Sequence, residues 1–179
     1  MDYWNRDYER DIEKEYHNQN LYIIWNEKTN FMKKAMDLNH FNTDFYCWTD
    51  IGMIRDKRTL EYIKTFPSSN MLSIIDKTKV YLLNVKIFFK NLTHYIGGGF
   101  IMCHRDTIDI WFNNYYSMLN YFMKQDLFAG KDQNIMNVIY DNFPEIIKLI
   151  EPLEPPFNHW FYMLFYFTDI YYNNYLHLQ

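Results

Sequence analysis

Phe45-Tyr46-Cys47-Trp48-Thr49-Asp50-Ile51-Gly52 is the stretch on which the reading of the fold turns. Its aromatic-rich, apolar first part predicts a buried strand. A lone acid and a glycine end the run. Open α/β sheets bind ligands beyond the carboxyl ends of their strands. A carboxylate beside a core strand is stable only when capped, paired, or bound to a cation or ligand. Asp50 is therefore the first candidate functional residue, with capping of the next turn as the structural alternative.

Working outward, Trp4, Tyr8, Ile12 and Tyr16 recur every four residues among charged neighbours, which predicts an amphipathic helix. Leu21-Tyr22-Ile23-Ile24-Trp25 reads as a short buried strand, and Asn30 as the cap of a helix carrying Phe31, Ala35 and Leu38. Beyond Asp50, a polar helix is predicted over residues 56–66, stopped by Pro67-Ser68-Ser69-Asn70. Leu72-Ser73-Ile74-Ile75 and Val80-Tyr81-Leu82-Leu83-Asn84-Val85 read as strands, as does the glycine-led Ile96-Gly97-Gly98-Gly99-Phe100-Ile101-Met102-Cys103. Asp106 is the expected cap of a long helix reaching Gln125, and Asp132 that of a helix over Ile135, Met136 and Ile139. Alternating strands and helices imply a single α/β domain over residues 1–179, with a mainly parallel or mixed sheet flanked by helices.

Composition bounds the function. Hydrophobic residues at 49% and charged ones at 22% are globular proportions. The 17 Tyr and 15 Phe accompany many Asn, Ile and Lys, a usage that points to an AT-rich genome, bacterial or viral, rather than to stacking surfaces. A net charge of −4 argues against nucleic acid as a partner. Cys47 and Cys103 lie in apolar segments without metal or redox spacing, and the start is polar, so a cytoplasmic protein with reduced, buried cysteines is expected. No apolar run reaches the length of a membrane span. The aromatic tail over residues 157–172 reads as exposed and is the expected face for a protein partner. Asn91-Leu92-Thr93 matches a glycosylation sequon, a frequent coincidence in an Asn-rich chain.

Three stretches offer chemistry. Asp50 supplies one carboxylate for Mg²⁺ or Mn²⁺, with Arg55 close behind as a fork donor for phosphate. Gly97-Gly98-Gly99-Phe100 permits close approach of backbone to a ligand, or a tight strand entry. Gly130-Lys131-Asp132-Gln133-Asn134 offers hydrogen-bonding groups for sugar hydroxyls, against ordinary helix capping by Asp132. The histidines are scattered, and His159 beside Trp160 is the one with a candidate role.

As an ordered set, Trp25-Asn26-Glu27-Lys28-Thr29-Asn30-Phe31, Asn39-His40-Phe41-Asn42, Trp48-Thr49-Asp50-Ile51-Gly52-Met53-Ile54-Arg55, Gly97-Gly98-Gly99-Phe100 and Phe128-Ala129-Gly130-Lys131-Asp132-Gln133-Asn134 resemble the HtrL/YibB-type family. That family is regarded as glycosyltransferase-like with a GT-A nucleotide-diphospho-sugar fold. The resemblance implies sugar transfer from a nucleotide-diphosphate donor to a glycan or other hydroxyl acceptor. It places Asp50, Arg55 and Lys28 on the donor side, Gly97, Gly98 and Gly99 on the acceptor side, and Asp132 and Gln133 at the reacting sugar. It also implies Mn²⁺ or Mg²⁺ on Asp50, although Gly52 stands where the second acid of the Asp-x-Asp pattern falls; His159 is a further candidate ligand from the sequence, against a hydrogen-bonded structural role. The glycine- or Thr-rich strand that seats the nucleotide base in such domains has no counterpart before Trp4, so a domain lacking that strand is expected. The alternative is an inactive remnant that binds a glycan or a protein.

Overall fold

A computed structural model describes residues 2–55, 57–86, 94–153 and 159–178, without the side chains of Arg58, His159 and Leu178. The sequon at residues 91–93 and the start of the aromatic tail at Phe157 lie outside the described residues. The elements run α1 (Asp2–Arg10), α2 (Gln19–Leu38), β1 (Phe45–Thr49), α3 (Lys57–Tyr62), α4 (Ser69–Ile74), β2 (Val80–Asn84), β3 (Ile96–His104), α5 (Arg105–Lys124), α6 (Asp132–Asn142), β4 (Ile147–Ile150), α7 (Tyr162–Tyr166) and α8 (Asp169–Asn174).

The four strands form one sheet in the order β1-β3-β2-β4. β1 and β2 flank β3 antiparallel, and β4 joins β2 parallel. The fold is thus mixed α/β, and of the two sheet types expected it is the mixed one. β1 is an edge strand rather than a core one. Tyr46 points inward while Cys47 is exposed, contrary to the expectation of two buried cysteines. Central β3 is buried along its whole length.

The chain covers both faces of this sheet. Val80, Leu82, Ile101 and Cys103 meet α5 and α6 through Trp111, Tyr115, Ile135 and Ile139. On the opposite face, Tyr81, Leu83, Phe100 and Met102 meet Met71 of α4 and the residues of α7 and α8. Strand alternation sends neighbouring side chains to opposite cores. The tail is consequently a second core: Tyr162, Met163, Phe167 and Tyr171 are at most 1% exposed. Its described part is packed into the fold rather than exposed, contrary to the sequence expectation. Among the described residues no helix is long and apolar enough to cross a membrane.

Two expected strands are helical. Residues 21–25 belong to α2, whose N-cap is Asn18, with its side chain accepting from the Leu21 amide, and not Asn30. Tyr22, Asn26, Thr29 and Met32 then fall on the buried side at helical spacing, while Ile23 and Ile24 face outward. Residues 72–74 belong to α4, started by the Ser68 hydroxyl accepting from the Met71 amide. In both places an oxygen-bearing cap converts a short apolar run, ambiguous by itself, into a helix. The first helix ends at Arg10, leaving Ile12 and Tyr16 exposed. His104, not Asp106, caps α5, and Lys131, not Asp132, is the N-cap residue of α6.

Candidate functional site

Because β1 runs antiparallel to β3, the carboxyl end of β1 meets the glycine end of β3, with Thr49 opposite Phe100. The register with β2 shifts between Tyr81 and Leu83, so β3 bulges along its glycine-rich part. The Asp50 amide donates to the Gly99 carbonyl at 2.9 Å, fixing the exit from β1 on that bulge. Two helices close the corner: α2 brings Lys28 and α6 begins with Asp132.

Asn26 holds α2 in place. Its buried amide donates to the carbonyls of Tyr22 (2.9 Å) and Ala129 (3.0 Å), and its oxygen accepts from the Tyr115 hydroxyl at 2.9 Å. The same loop is tied to α1, where buried Asp7 accepts from the Ala129 amide at 2.8 Å. Burial raises the Asp7 carboxyl above its ordinary range against that hydrogen bond and nearby Arg10. These contacts set the segment leading into Asp132.

The Lys28 side chain, ending in its ammonium, is 3% exposed. It donates to the Gly98 carbonyl at 2.8 Å, lies 2.8 Å from Asp132 Oδ2 and 3.6 Å from Asp50 Oδ1, and stands 5.8 Å from the Trp48 ring. Asp50 Oδ1 also accepts from the Trp48 indole at 2.7 Å, and that indole stacks on Phe31. Asp50 makes no capping hydrogen bond to the turn Ile51–Met53 that follows it, so its structural alternative is not what the side chain does. Asp132 is buried, and its Oδ1 accepts from the Gln133 amide at 2.9 Å. Burial pushes the Asp132 carboxyl above its ordinary range; Lys28 opposes that shift and the Asp50 charge adds to it.

Trp25, Lys28, Asp50, Gly98, Gly99, Asp132, Gln133 and Trp160 line one pocket of about 90 Å³. Six of the residues singled out from sequence therefore converge. Three do not. Gly97 packs against Val85 instead of the pocket. Arg55 turns away: its Nε donates to the Gly52 carbonyl at 2.7 Å and its guanidinium lies 4.5 Å over the Phe161 ring. The His159 side chain lies outside the described residues. Two residues were missed. Trp25 lies three positions before Lys28 on α2, the spacing that puts both on one face. Trp160 arrives from the far end of the chain, and no local pattern announces it.

The glycines explain the closeness of approach. A Cβ on Gly98 would lie 2.7 Å from both Asp132 oxygens, whereas one on Gly99 would meet Asp50 Oδ2 at 3.6 Å and Trp160 Nε1 at 3.7 Å. Gly98→Ala is expected to lower stability by about 1–3 kcal/mol through overpacking. Gly99→Ala is expected to melt like the parent while filling part of the pocket. Urea melts of the two variants separate these outcomes.

The residues do not fit a divalent metal between the two acids. Hard cations need free carboxylate oxygens, and here an ammonium anchored on Gly98 faces both carboxylates. A second acidic group, Asp11, Glu13 and His17, is close enough to share an ion. Lys131 lies 3.7 Å from Asp11 and pairs with Glu13, so a lysine faces the two acids of this group too. With Lys28 balanced by Asp50 and Asp132, the pocket has no surplus positive charge.

Nothing among curated proteins or solved structures matches this chain. One family model, described as "Bacterial protein of unknown function (HtrL_YibB)", matches residues 3–168. That span takes in every element from α1 to α7, the whole sheet and all the pocket residues, and so the chain belongs to the HtrL_YibB family.

Proposed function

We propose that this pocket binds a sugar ring and that the chain is a glycosyltransferase, or the core of one, on a GT-A-like fold. It would move a sugar from a nucleotide-diphosphate donor to a hydroxyl acceptor. The observation that carries the reading is the pocket itself: two indoles beside two carboxylates and an amide. Indole faces match the C–H faces of a pyranose, and carboxylate and amide oxygens accept from its hydroxyls. Asp132 and Gln133 orient the reacting sugar, and the side-chain-free Gly98 and Gly99 on the β3 bulge admit the acceptor. In the transfer, the bond from the sugar's anomeric carbon to the diphosphate oxygen breaks and one to the acceptor oxygen forms, while the proton of the acceptor hydroxyl passes to the departing diphosphate.

A second reading, a glycan-binding module without transfer, is favoured by the charge balance and by Arg55, whose guanidinium lies over the Phe161 ring and not in the pocket. Melting-temperature titrations with nucleotide-diphosphate sugars, free saccharides and nucleotides, each with and without Mn²⁺, separate the two. A donor at about 100 times its Kd adds about 2.7 kcal/mol, a rise of roughly 5–11 °C at this chain length. A shift with donors and turnover with an acceptor support transfer. A shift with saccharides alone supports the module, and no shift with either contradicts both.

A further inference from the structure

We infer that Lys28 is the resident cation of the pocket: its ammonium fills the position between Asp50 and Asp132 that a divalent metal would take, so the native pocket works without one. The side chain is built into that position. It is 3% exposed, crosses from α2 to the β3 bulge, and is held by the Gly98 carbonyl as well as by both acids. A divalent ion arriving there would face a fixed like charge within a few ångströms. That repulsion is large in a buried site. It would also have to displace an ammonium that is hydrogen-bonded to the Gly98 carbonyl and lies 2.8 Å from Asp132 Oδ2. Asp50 Oδ2 is the remaining open carboxylate oxygen toward Gly99, and one oxygen with Gly52 behind it is a poor hold for a hard cation.

The corollary is that removal of the lysine creates a metal site. With Lys28→Ala, two carboxylates face a vacated space, the donor set from which Mn²⁺ and Mg²⁺ are held together with water. This inference concerns the cation between the acids and stands whether or not the pocket transfers sugars.

The Trp48 indole N–H, hydrogen-bonded to Asp50, is the reporter. Mn²⁺ is titrated into the ¹⁵N-labelled protein and paramagnetic broadening of that resonance is followed. Trp25 lines the pocket and also lies against His17, so the titration is repeated in Glu13→Gln, which weakens the Asp11 group and leaves the pocket intact. The wild type is expected to keep a sharp Trp48 signal. Lys28→Ala is expected to lose it at Mn²⁺ concentrations at least about tenfold lower, since a like charge has left the ion's position. Adding Asp50→Asn is expected to restore the sharp signal. If Lys28→Ala does not fold alone, Mn²⁺ is expected to restore its melting transition. Broadening of Trp48 in the wild type at micromolar Mn²⁺ overturns the inference. So does a Lys28→Ala protein that neither binds Mn²⁺ nor is rescued by it.

Discussion

Lys28→Met is expected to cost about 3–5 kcal/mol, the usual result of removing one partner of a buried ion pair. Methionine keeps most of the side-chain volume, so the loss is electrostatic rather than a cavity. Asp132 would remain buried beside Asp50 with no cation near it. The pH dependence gives the loss a signature. Burial and Asp50 already raise the Asp132 carboxyl above its ordinary range, and only Lys28 and the Gln133 amide oppose that. Without Lys28 the folded-state value rises further. A carboxyl raised in the folded state is protonated there while the unfolded chain is ionised, so stability falls as pH climbs from the ordinary carboxylate range to the folded value. The deficit of Lys28→Met is therefore small in acid and full near neutrality. Lys28→Met combined with Asp132→Asn removes both charges and is expected to recover most of the loss. Urea melts of the three proteins across the acid-to-neutral range test this. A deficit independent of pH, or a double variant no better than the single, contradicts the buried pair.

A chain ended at Leu153 is expected to lose its cooperative unfolding transition altogether. Removing α7 and α8 strips one face of the sheet, where Phe100 stacks on Phe167, Tyr81 meets the same ring edge-on, and Tyr171 packs on Tyr162 and Tyr166. Deleting one buried aromatic side chain costs about 3–5 kcal/mol. Several lost together exceed the roughly 5–15 kcal/mol by which domains are stable. The Ser68–Asp169 hydrogen bond and the Ser68 amide donating to the Phe167 carbonyl at 2.8 Å go as well, so α4 loses its seat. Near-ultraviolet circular dichroism of the shortened chain checks this. A native-like spectrum with a sharp melt would show that the tail is an accessory.

How much was legible follows from where each signal lies. β2, β3, α5 and α6 announced themselves because their apolar patterns hold over their lengths, although the caps of α5 and α6 fall two residues and one residue earlier than expected. Residues 21–25 and 72–74 misled because three or four apolar residues fit either period, and the deciding atoms, the Asn18 and Ser68 oxygens, lie outside the runs. The tail looked like a surface because nothing local in its sequence says what it covers. In the site, Asp50 was found from its position at a strand end. Gly98, Gly99, Asp132 and Gln133 lay in stretches that offer close backbone approach and hydrogen bonds, Lys28 entered through the family resemblance, and the fold brings them together. Arg55 was misassigned because nearness in sequence to Asp50 is not nearness in space; a cation–π contact with Phe161 holds it elsewhere. Trp160 was invisible because its partner Gly99 is far away in sequence.

The stretch that opened the reading ends at the pocket, and the central claim is that ligand binds there. Indole ¹H–¹⁵N resonances test it most directly, because Trp25 and Trp160 line the pocket, Trp48 touches its acid, and Trp111 is buried in the far core. Titration with nucleotide-diphosphate sugars and with free saccharides is predicted to shift Trp25 and Trp160 together, Trp48 less, and Trp111 not at all, with the shifts lost in Asp132→Asn. A sugar ligand that binds while leaving Trp25 and Trp160 unmoved would contradict the account.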